Sequence, residues 1–170
     1  GKAGICFGMK NVLKDIYGEI TSGSNNYGGW NNTYTRNIIL EKIFANLPSE
    51  LQNMIKEVNT YANAGSSSSD ESIGLLCKDK LFLPGHGEVY GTGGYGSRQT
   101  ITEKGQTQFP IFTDNNSRIK KIPGGTAASW WTRSPYYYSS EFIFIGGAGD
   151  YSHNSSGWYY TEYFCFCFNI

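Results

Sequence analysis

Apolar residues at helical spacing mark the first third of the chain. Ile39, Ile43 and Leu47 recur along one face of a helix, and Asn32 or Thr33 provides a side chain that can cap its start. The pattern therefore predicts a helix from that cap to about residue 44. Pro48, which cannot continue a helix interior, is expected to interrupt it.

A second helix is predicted directly after this proline. Leu51, Met54, Ile55 and Val58 follow the i, i+3, i+4, i+7 pattern of a helix with one buried face. The Ser-x-x-Gln sequence that begins at Ser49 matches a capping box. A third, short helix is predicted for residues 11–20.

The remainder of the chain has short apolar runs separated by Gly, Pro and polar residues, which is typical of short strands and turns. The predicted strands are residues 80–84, 111–112, 129–132, 142–145, 158–160 and 164–168. Residues 65–70 and 91–96 are predicted to be loops, and residues 150–157 a polar turn region. Helices followed by strands indicate an α+β fold, with a single domain expected over residues 1–170.

Length and charge narrow the classes of partner. The 170 residues carry 14 basic and 14 acidic side chains, so the net charge is zero. Such a chain lacks the field that would attract nucleic acid or an anionic membrane. Its apolar runs are much shorter than the roughly 18 residues that suggest a membrane span, so membrane insertion is not expected. Because the sequence begins with neither Met nor a signal-peptide core, we expect a fragment or a processed chain.

The four cysteines match no zinc-binding spacing. Cys165 and Cys167 would share one face of a strand, and a bridge from Cys6 to Cys167 would require the two termini to pair. Four cysteines allow three disulfide connectivities, among which the sequence does not choose, and free, buried thiols are the prediction.

Other chemical motifs lack the context they need. The G-x-G-x-x-G sequence at residues 91–96 is not followed by a helical pattern, so it is interpreted as a flexible loop. His86 is predicted to be an exposed loop residue, since the chain contains no G-x-S-x-G nucleophile motif. Possible oxygen ligands for calcium at residues 70–71 and 114–117 lack EF-hand spacing and are interpreted as solvated turns. The sequence thus predicts no catalytic residue, no metal site and no cofactor.

The last forty residues have the composition of a recognition surface. Seven of the 13 tyrosines lie after Trp130, interleaved with Ser, Asn, Gly and Asp. Tyrosine gives large, stiff contact area, and the small polar residues give adaptable hydrogen bonds, as in antibody paratopes. The predicted ligand-binding residues are Tyr136, Tyr137, Tyr138, Glu141, Tyr151, His153, Asn154, Tyr159 and Tyr160.

The segment WWTRSP at residues 130–135 is predicted to be the scaffold beneath this surface. On a strand its two tryptophans would face opposite sides, one entering the core and the other covering a helix. Arg133 is expected to donate hydrogen bonds to backbone carbonyls and so hold the segment that follows. An aromatic-rich β-sandwich core is the alternative interpretation of the aromatic residues.

A series of ordered motifs resembles a known family. The motifs are GGWNNTYTR (28–36), LPSELQ (47–52), DKLFLP (79–84), EVYG (88–91), SRIK (117–120), WWTRSP (130–135) and a Phe- and Cys-rich end. They resemble C-type-lectin-like domains of gut bacteria and their phages. They are also similar to the variable proteins of diversity-generating retroelements, the family of the phage major tropism determinant.

This resemblance implies a C-type lectin fold with two main helices, short antiparallel strands, paired terminal strands and long irregular loops. It implies a non-enzymatic domain at a cell surface or on a virion that binds a protein or glycan receptor on another cell. The variable, ligand-presenting part would be residues 130–170. Two alternatives stay open: a fixed structural or adhesive domain of a phage tail or bacterial surface assembly, and an enzyme related to formylglycine-generating oxidases, for which Cys165 and Cys167 are the candidate reactive pair.

Overall fold

The fold consists of short helices and several small sheets. A computed structural model describes residues 4–65, 75–91, 105–136, 140–155 and 162–170, with the backbone alone for residues 151–155. The strands are β1 (Cys6–Gly8), β2 (Tyr17–Gly18), β3 (Val58–Ala62), β4 (Leu75–Asp79), β5 (Lys120–Lys121), β6 (Ala127–Ala128), β7 (Trp130–Pro135), β8 (Glu141–Ile145), β9 (Tyr151–Ser155), β10 (Glu162–Tyr163) and β11 (Cys167–Asn169). The helices are α1 (Glu41–Ala45), α2 (Ser49–Met54), α3 (His86–Tyr90) and α4 (Asn115–Arg118), preceded by a 3₁₀ turn at Gly29–Asn32 and a π-helical segment at Thr35–Leu40.

The first predicted helix is confirmed, with a π-helical start. Thr35–Leu40 continues directly into α1, and the hydroxyl of Thr33 accepts a hydrogen bond from the amide of Arg36 at 3.2 Å. Ile39 and Ile43 pack against the larger core cluster as expected from their spacing.

The second predicted helix begins at Ser49 but ends at Met54, short of Val58. The chain leaves the helix because the amide of Lys56 donates to the carbonyl of Asn169 at 2.9 Å and Val58 begins β3. The predicted capping box is wrong, since the Gln52 side chain donates to the carbonyl of Leu47 at 2.7 Å instead.

The largest sheet has five strands in the order β2-β10-β7-β8-β9. Strands β7, β8 and β9 are antiparallel neighbours, whereas β10 runs parallel to β7. The side chains of β7 and β8 are buried on both faces of this sheet. The residues predicted as a strand at 142–145 therefore form most of β8, flanked by the longer β7 on one side and by β9 on the other.

Two further strand pairings bring distant parts of the chain together. β3 pairs with β4 in antiparallel register from Val58 with Asp79 to Ala62 with Leu75, a pairing that the sequence pattern did not predict. The terminal strands β1 and β11 pair antiparallel, with Phe7 opposite Phe168. The N- and C-terminal segments are thus joined by backbone hydrogen bonds.

Two apolar clusters lie on opposite sides of β7. Trp131 belongs to the larger cluster and meets the ring of Phe144 edge to face at 5.9 Å. Trp130 belongs to the smaller cluster, which includes Val89 of α3, and stacks near Phe112 at 6.3 Å. The prediction that these adjacent tryptophans face opposite sides, with one of them covering a helix, is confirmed.

The predicted fold class is wrong. An α+β C-type lectin fold with two main helices requires helices longer than these, and the described residues form mostly small sheets connected by short helical segments. The physical reason is that segments with a helical apolar pattern find backbone partners elsewhere. Val12 and Leu13, for example, donate to the carbonyls of Lys121 and Phe164, so the predicted helix at residues 11–20 does not form.

Several local predictions also need correction. Residues 80–84, predicted as a strand, form only an isolated bridge, between Phe82 and Cys167. Residues 111–112 form a turn rather than a strand, because the amide of Phe112 donates to the carbonyl of Phe109. The predicted polar turn at 150–157 is largely β9, and the turn itself lies earlier, where Gly146 and Asp150 are hydrogen bonded. His86 is 1% exposed within α3 and is not a loop residue.

Some predicted elements lie outside the residues that the structure describes. They are most of the predicted loops at 65–70 and 91–96 and the predicted strand at 158–160. Among the described residues, none of the helices has the length and apolar character needed to cross a bilayer.

Candidate functional site

The end of β7 forms a rigid base beneath the predicted recognition segment. Arg133 is fully buried, and its guanidinium donates to the carbonyl of Leu83 at 2.8 Å and to that of Tyr61 at 3.0 Å. The expectation that Arg133 binds backbone carbonyls is confirmed. These carbonyls belong to segments beside β7, so Arg133 ties β3 and the chain before α3 to the strand.

A carboxylate compensates the charge of this guanidinium. Glu88 of α3 receives two parallel hydrogen bonds from Arg133, at 2.6 and 2.7 Å. One Glu88 oxygen also accepts the amide of Gly85, at 2.9 Å, which closes the first turn of α3. Such bidentate, charge-assisted contacts fix orientation as well as distance, so α3 is held firmly against β7.

Asn26 holds together the two ends of the segment that connects β7 and β8. Its side-chain amide donates to the carbonyl of Tyr136 and to that of Glu141, each at 2.9 Å. The amide of Tyr136 also donates to the Glu141 carbonyl at 2.9 Å. Asn26 is 2% exposed, so these bonds form out of water, and both ends of residues 136–141 are fixed.

A second buried asparagine holds the last residue of β7. Asn63 donates to the carbonyl of Pro135 at 3.0 Å, while its own side-chain oxygen accepts the amide of Gly65. Gly29 packs so closely here that a Cβ would lie 2.0 Å from the Asn63 carbonyl oxygen. Only glycine allows this approach, and its φ of +54° also suits glycine.

The predicted binding residues fall into three groups. Tyr136 and Glu141 are 8% and 9% exposed and lie at the anchored ends of the connection. Tyr151, His153 and Asn154 lie on β9, at the edge of the sheet as described, where their backbones pair with β8. The four remaining residues, Tyr137, Tyr138, Tyr159 and Tyr160, are outside the described residues.

A cavity of about 340 Å³ lies between the paired terminal segments and residues 109–112, which precede α4. Three of the four cysteines line it, with the ammonium-bearing Lys120 and several apolar side chains. The lining residues are Cys6, Gly8, Met9, Pro84, Phe109, Pro110, Ile111, Phe112, Lys120, Cys165 and Cys167. Cys165 and Cys167 both line this cavity, but Cys165 precedes β11, so the two residues do not lie on one strand as the prediction assumed.

The cysteines differ in their tendency to ionise. Burial raises the pKa of Cys165 to about 11, and burial also raises the pKa of Cys77. A hydrogen bond with Cys6, together with burial, raises the pKa of Cys167 well above its ordinary value. The same hydrogen bond lowers the pKa of Cys6, which is exposed. The thiols of Cys165 and Cys167 are therefore protonated at pH 7, and Cys6 is the cysteine whose pKa shift favours the thiolate, which is the reactive form.

The other polar candidates have structural roles. His86 lies in α3, and burial together with the nearby Arg118 lowers its pKa to about 4, so it is neutral at pH 7. Asp114 caps α4 by accepting the amide of Ser117 at 2.8 Å. Within the described part of the chain, no three His, Cys, Asp or Glu side chains come close enough to hold a metal ion.

Sequence reasoning did not identify Asn26, Asn63 or Glu88, which hold the base of the recognition segment. Asn63 precedes Gly65 in an Asn-x-Gly sequence, a local signal for the turn in which its side-chain oxygen accepts the Gly65 amide. The contacts of Asn26 join residues more than one hundred positions apart, and no local pattern encodes such contacts.

Comparison with known proteins gives one match. Residues 8–163 match the model of a protein family described as a domain of unknown function (DUF6273). Neither a curated protein nor a solved structure matches the chain. Since the family model covers nearly the whole sequence, the chain belongs to the DUF6273 family.

Proposed function

We propose that this domain is a non-catalytic recognition module that binds a protein or glycan receptor on another cell. Its binding surface lies within the Tyr-, Ser- and Asn-rich C-terminal part, residues 130–170. The observation that carries the proposal is the pair of hydrogen bonds from Asn26 to both ends of residues 136–141. They fix the ends of a segment whose composition suits adaptable binding.

Anchoring of this kind favours affinity. Binding orders side chains and loops at an entropic cost, and a segment with fixed ends loses less freedom when a ligand binds. Asn63 and the Arg133–Glu88 pair strengthen the same base through buried bonds. The proposal therefore separates a rigid support from the side chains that touch the receptor.

The buried side chains of Tyr136 and Glu141 are assigned to this support. The contacts are assigned to the other predicted residues, which are Tyr137, Tyr138, Tyr151, His153, Asn154, Tyr159 and Tyr160. Tyr151, His153 and Asn154 belong to β9, the last strand in the order of this sheet.

The test is a comparison of two tyrosine double variants. Fluorescently labelled protein is applied to a glycan array and to a panel of intact bacterial cells. Where wild type binds, Tyr137→Ala/Tyr159→Ala is expected to weaken binding roughly thirtyfold or more, since truncation of an aromatic anchor costs about 2 kcal/mol. The matched control is Tyr27→Ala/Tyr34→Ala, which removes two exposed tyrosines (53% and 42%) from the other end of the chain.

Two results would contradict the proposal. Unchanged binding by Tyr137→Ala/Tyr159→Ala would show that the surface assignment is wrong. Absence of wild-type binding to every cell and glycan tested would count against receptor recognition itself.

We further propose that a diversity-generating retroelement varies this surface, on the basis of the sequence resemblance. The source genome should then contain a near-copy of the segment that encodes residues 130–170, mismatched at adenines and close to a reverse transcriptase gene. A genome without such a copy would indicate a fixed specificity.

A further inference from the structure

The paired termini bring two cysteines to the same face of one small sheet. Cys6 and Gly8 lie on alternate positions of β1, and Cys167 is directly opposite Gly8 in β11. Side chains two residues apart on a strand share a face, so the thiols of Cys6 and Cys167 are diagonal neighbours. Phe7 and Phe168 lie on the other face, where their rings stack at 5.5 Å.

The absence of a side chain at Gly8 leaves room for the two sulfurs to meet. A Cβ at Gly8 would lie only 3.2 Å from the Sγ atom of Cys167, which shows that this sulfur leans across β1. The two thiols are close enough that each shifts the pKa of the other. Both thiols line the cavity described above.

The other two cysteines have different neighbours. The thiol of Cys165 donates to the carbonyl of Met9 at 3.4 Å, although it lines the same cavity. Cys77 lies in β4, where its sulfur is 3.9 Å from the side-chain oxygen of Asn31. The geometry therefore selects Cys6 with Cys167 among the possible pairs.

We propose that Cys6 is a site of oxidation by hydroperoxides and that Cys167 completes the reaction by forming a disulfide between the terminal strands. Cys6 is exposed and therefore accessible to a peroxide in solution. Cys167 is only 3% exposed, and its role is to react with the neighbouring Cys6. The two thiols thus have the unequal access expected of an attacking and a resolving cysteine.

The pKa shifts of the two thiols also favour Cys6 as the attacking cysteine and Cys167 as the resolving one. The hydrogen bond from Cys167 lowers the pKa of Cys6, although partial burial and the negative charge of Glu88 oppose the shift, while the pKa of Cys167 is raised. The proton of the pair therefore stays on Cys167, and Cys6 is the sulfur that becomes a thiolate nucleophile.

The reaction has two balanced steps. The Cys6 thiolate attacks one oxygen of hydrogen peroxide, the O–O bond breaks, and hydroxide leaves; sulfur is oxidised to a sulfenic acid and peroxide is reduced. The Cys167 thiol then attacks that sulfur, so that the S–S bond forms and the S–O bond breaks. The departing hydroxide takes the Cys167 proton and leaves as water.

The experiment uses the full chain, first reduced and freed of reductant. A short pulse of hydrogen peroxide is followed by denaturation in excess N-ethylmaleimide and by peptide mass spectrometry. Trypsin releases residues 3–10 with Cys6, and chymotryptic cleavage after Phe166 separates Cys165 from Cys167. We expect a disulfide-linked peptide pair that contains Cys6 and Cys167, with Cys77 and Cys165 still reduced.

Matched variants assign the roles. Cys167→Ser is expected to abolish the link and to leave a sulfenic acid on Cys6 that dimedone traps. Cys165→Ser, a change two residues away in the same cavity, is expected to form the link as wild type does. In untreated wild type, N-ethylmaleimide should modify Cys6 about tenfold faster than Cys77 or more, a measurement that needs no variant to fold.

Several outcomes would overturn the proposal. They are a link from Cys6 to Cys165, oxidation of Cys77 before Cys6, or Cys6 oxidised beyond the sulfenic acid in wild type without a link. Because this inference uses none of the tyrosine, histidine and asparagine side chains assigned to receptor contacts, failure of one proposal leaves the other standing.

Discussion

The substitution Glu88→Gln tests whether the buried pair of Arg133 and Glu88 holds the structure together. The guanidinium is fully buried and the Glu88 side chain is 12% exposed. Glutamine keeps the size of glutamate but removes the charge that compensates Arg133. An uncompensated buried charge is far more costly than a lost neutral hydrogen bond.

The expected loss follows from this geometry. Removal of one partner of a buried ion pair costs about 3–5 kcal/mol, and the slight exposure of Glu88 places the value near the lower end, at about 3 kcal/mol. That is a large part of the roughly 5–15 kcal/mol that stabilises a typical domain. For a chain of this size the melting temperature should fall by about 6–12 °C.

Urea denaturation followed by circular dichroism measures the free energy of unfolding of each variant. The control is Glu50→Gln, the same change at an exposed position in α2, where about 0.5 kcal/mol or less is expected. In the double variant Arg133→Met/Glu88→Gln the two losses should not add, since both substitutions break one interaction. A loss below about 1 kcal/mol for Glu88→Gln would refute the argument that the pair is buried and tightly coupled.

Three further predictions concern other buried positions. The pKa of His86 is lower in the folded state, about 4, than in the unfolded chain, 6.5, so its stabilisation is complete above pH 6.5 and is lost as the pH falls toward 4. Urea denaturation across this range should show a loss of about 3 kcal/mol in wild type that is missing from His86→Asn; equal pH dependence of the two would contradict the prediction. Gly29→Ala should lower the free energy of unfolding by about 2 kcal/mol or more, because Gly29 has a positive φ and its Cβ would lie 2.0 Å from the Asn63 carbonyl oxygen. The control is Gly23→Ala, where a Cβ meets nothing within 4 Å, and thermal denaturation of the two variants should show no destabilisation for this control. Cys165, with a pKa of about 11, should react with iodoacetamide at pH 8 only after urea unfolds the protein, and rapid labelling of the native chain would show that it is accessible.

The sequence determined the features that depend on short-range patterns. The i, i+4 spacing of Ile39 and Ile43 gave the position of the first helix, and the apolar run at residues 142–145 gave the strand that became β8. Adjacent tryptophans on a strand must face opposite sides, so Trp130 and Trp131 entered two different clusters as predicted. The Arg133 bonds to backbone carbonyls also followed from the type of residue and its place on a strand.

The tertiary structure decided where the helices and strands end and which strands pair with each other. The helical spacing from Leu51 to Val58 continues past Met54, but the backbone pairing of Lys56 with Asn169 ends the helix there. The polar sequence at residues 151–155 has the composition of a turn, yet pairing with β8 makes it a strand. In both cases a hydrogen-bonding partner distant in the chain outweighs the local preference.

The candidate sites show the same division. Composition alone indicated the Tyr-rich recognition segment, because residue type determines the kind of contact a surface can make. The anchoring of that segment by Asn26, and the meeting of Cys6 with Cys167, depend on residues 110 and 161 positions apart along the chain. Only the folded chain brings such residues within bonding distance, since the sequence encodes local conformation directly but long-range proximity only through the packing of the whole molecule.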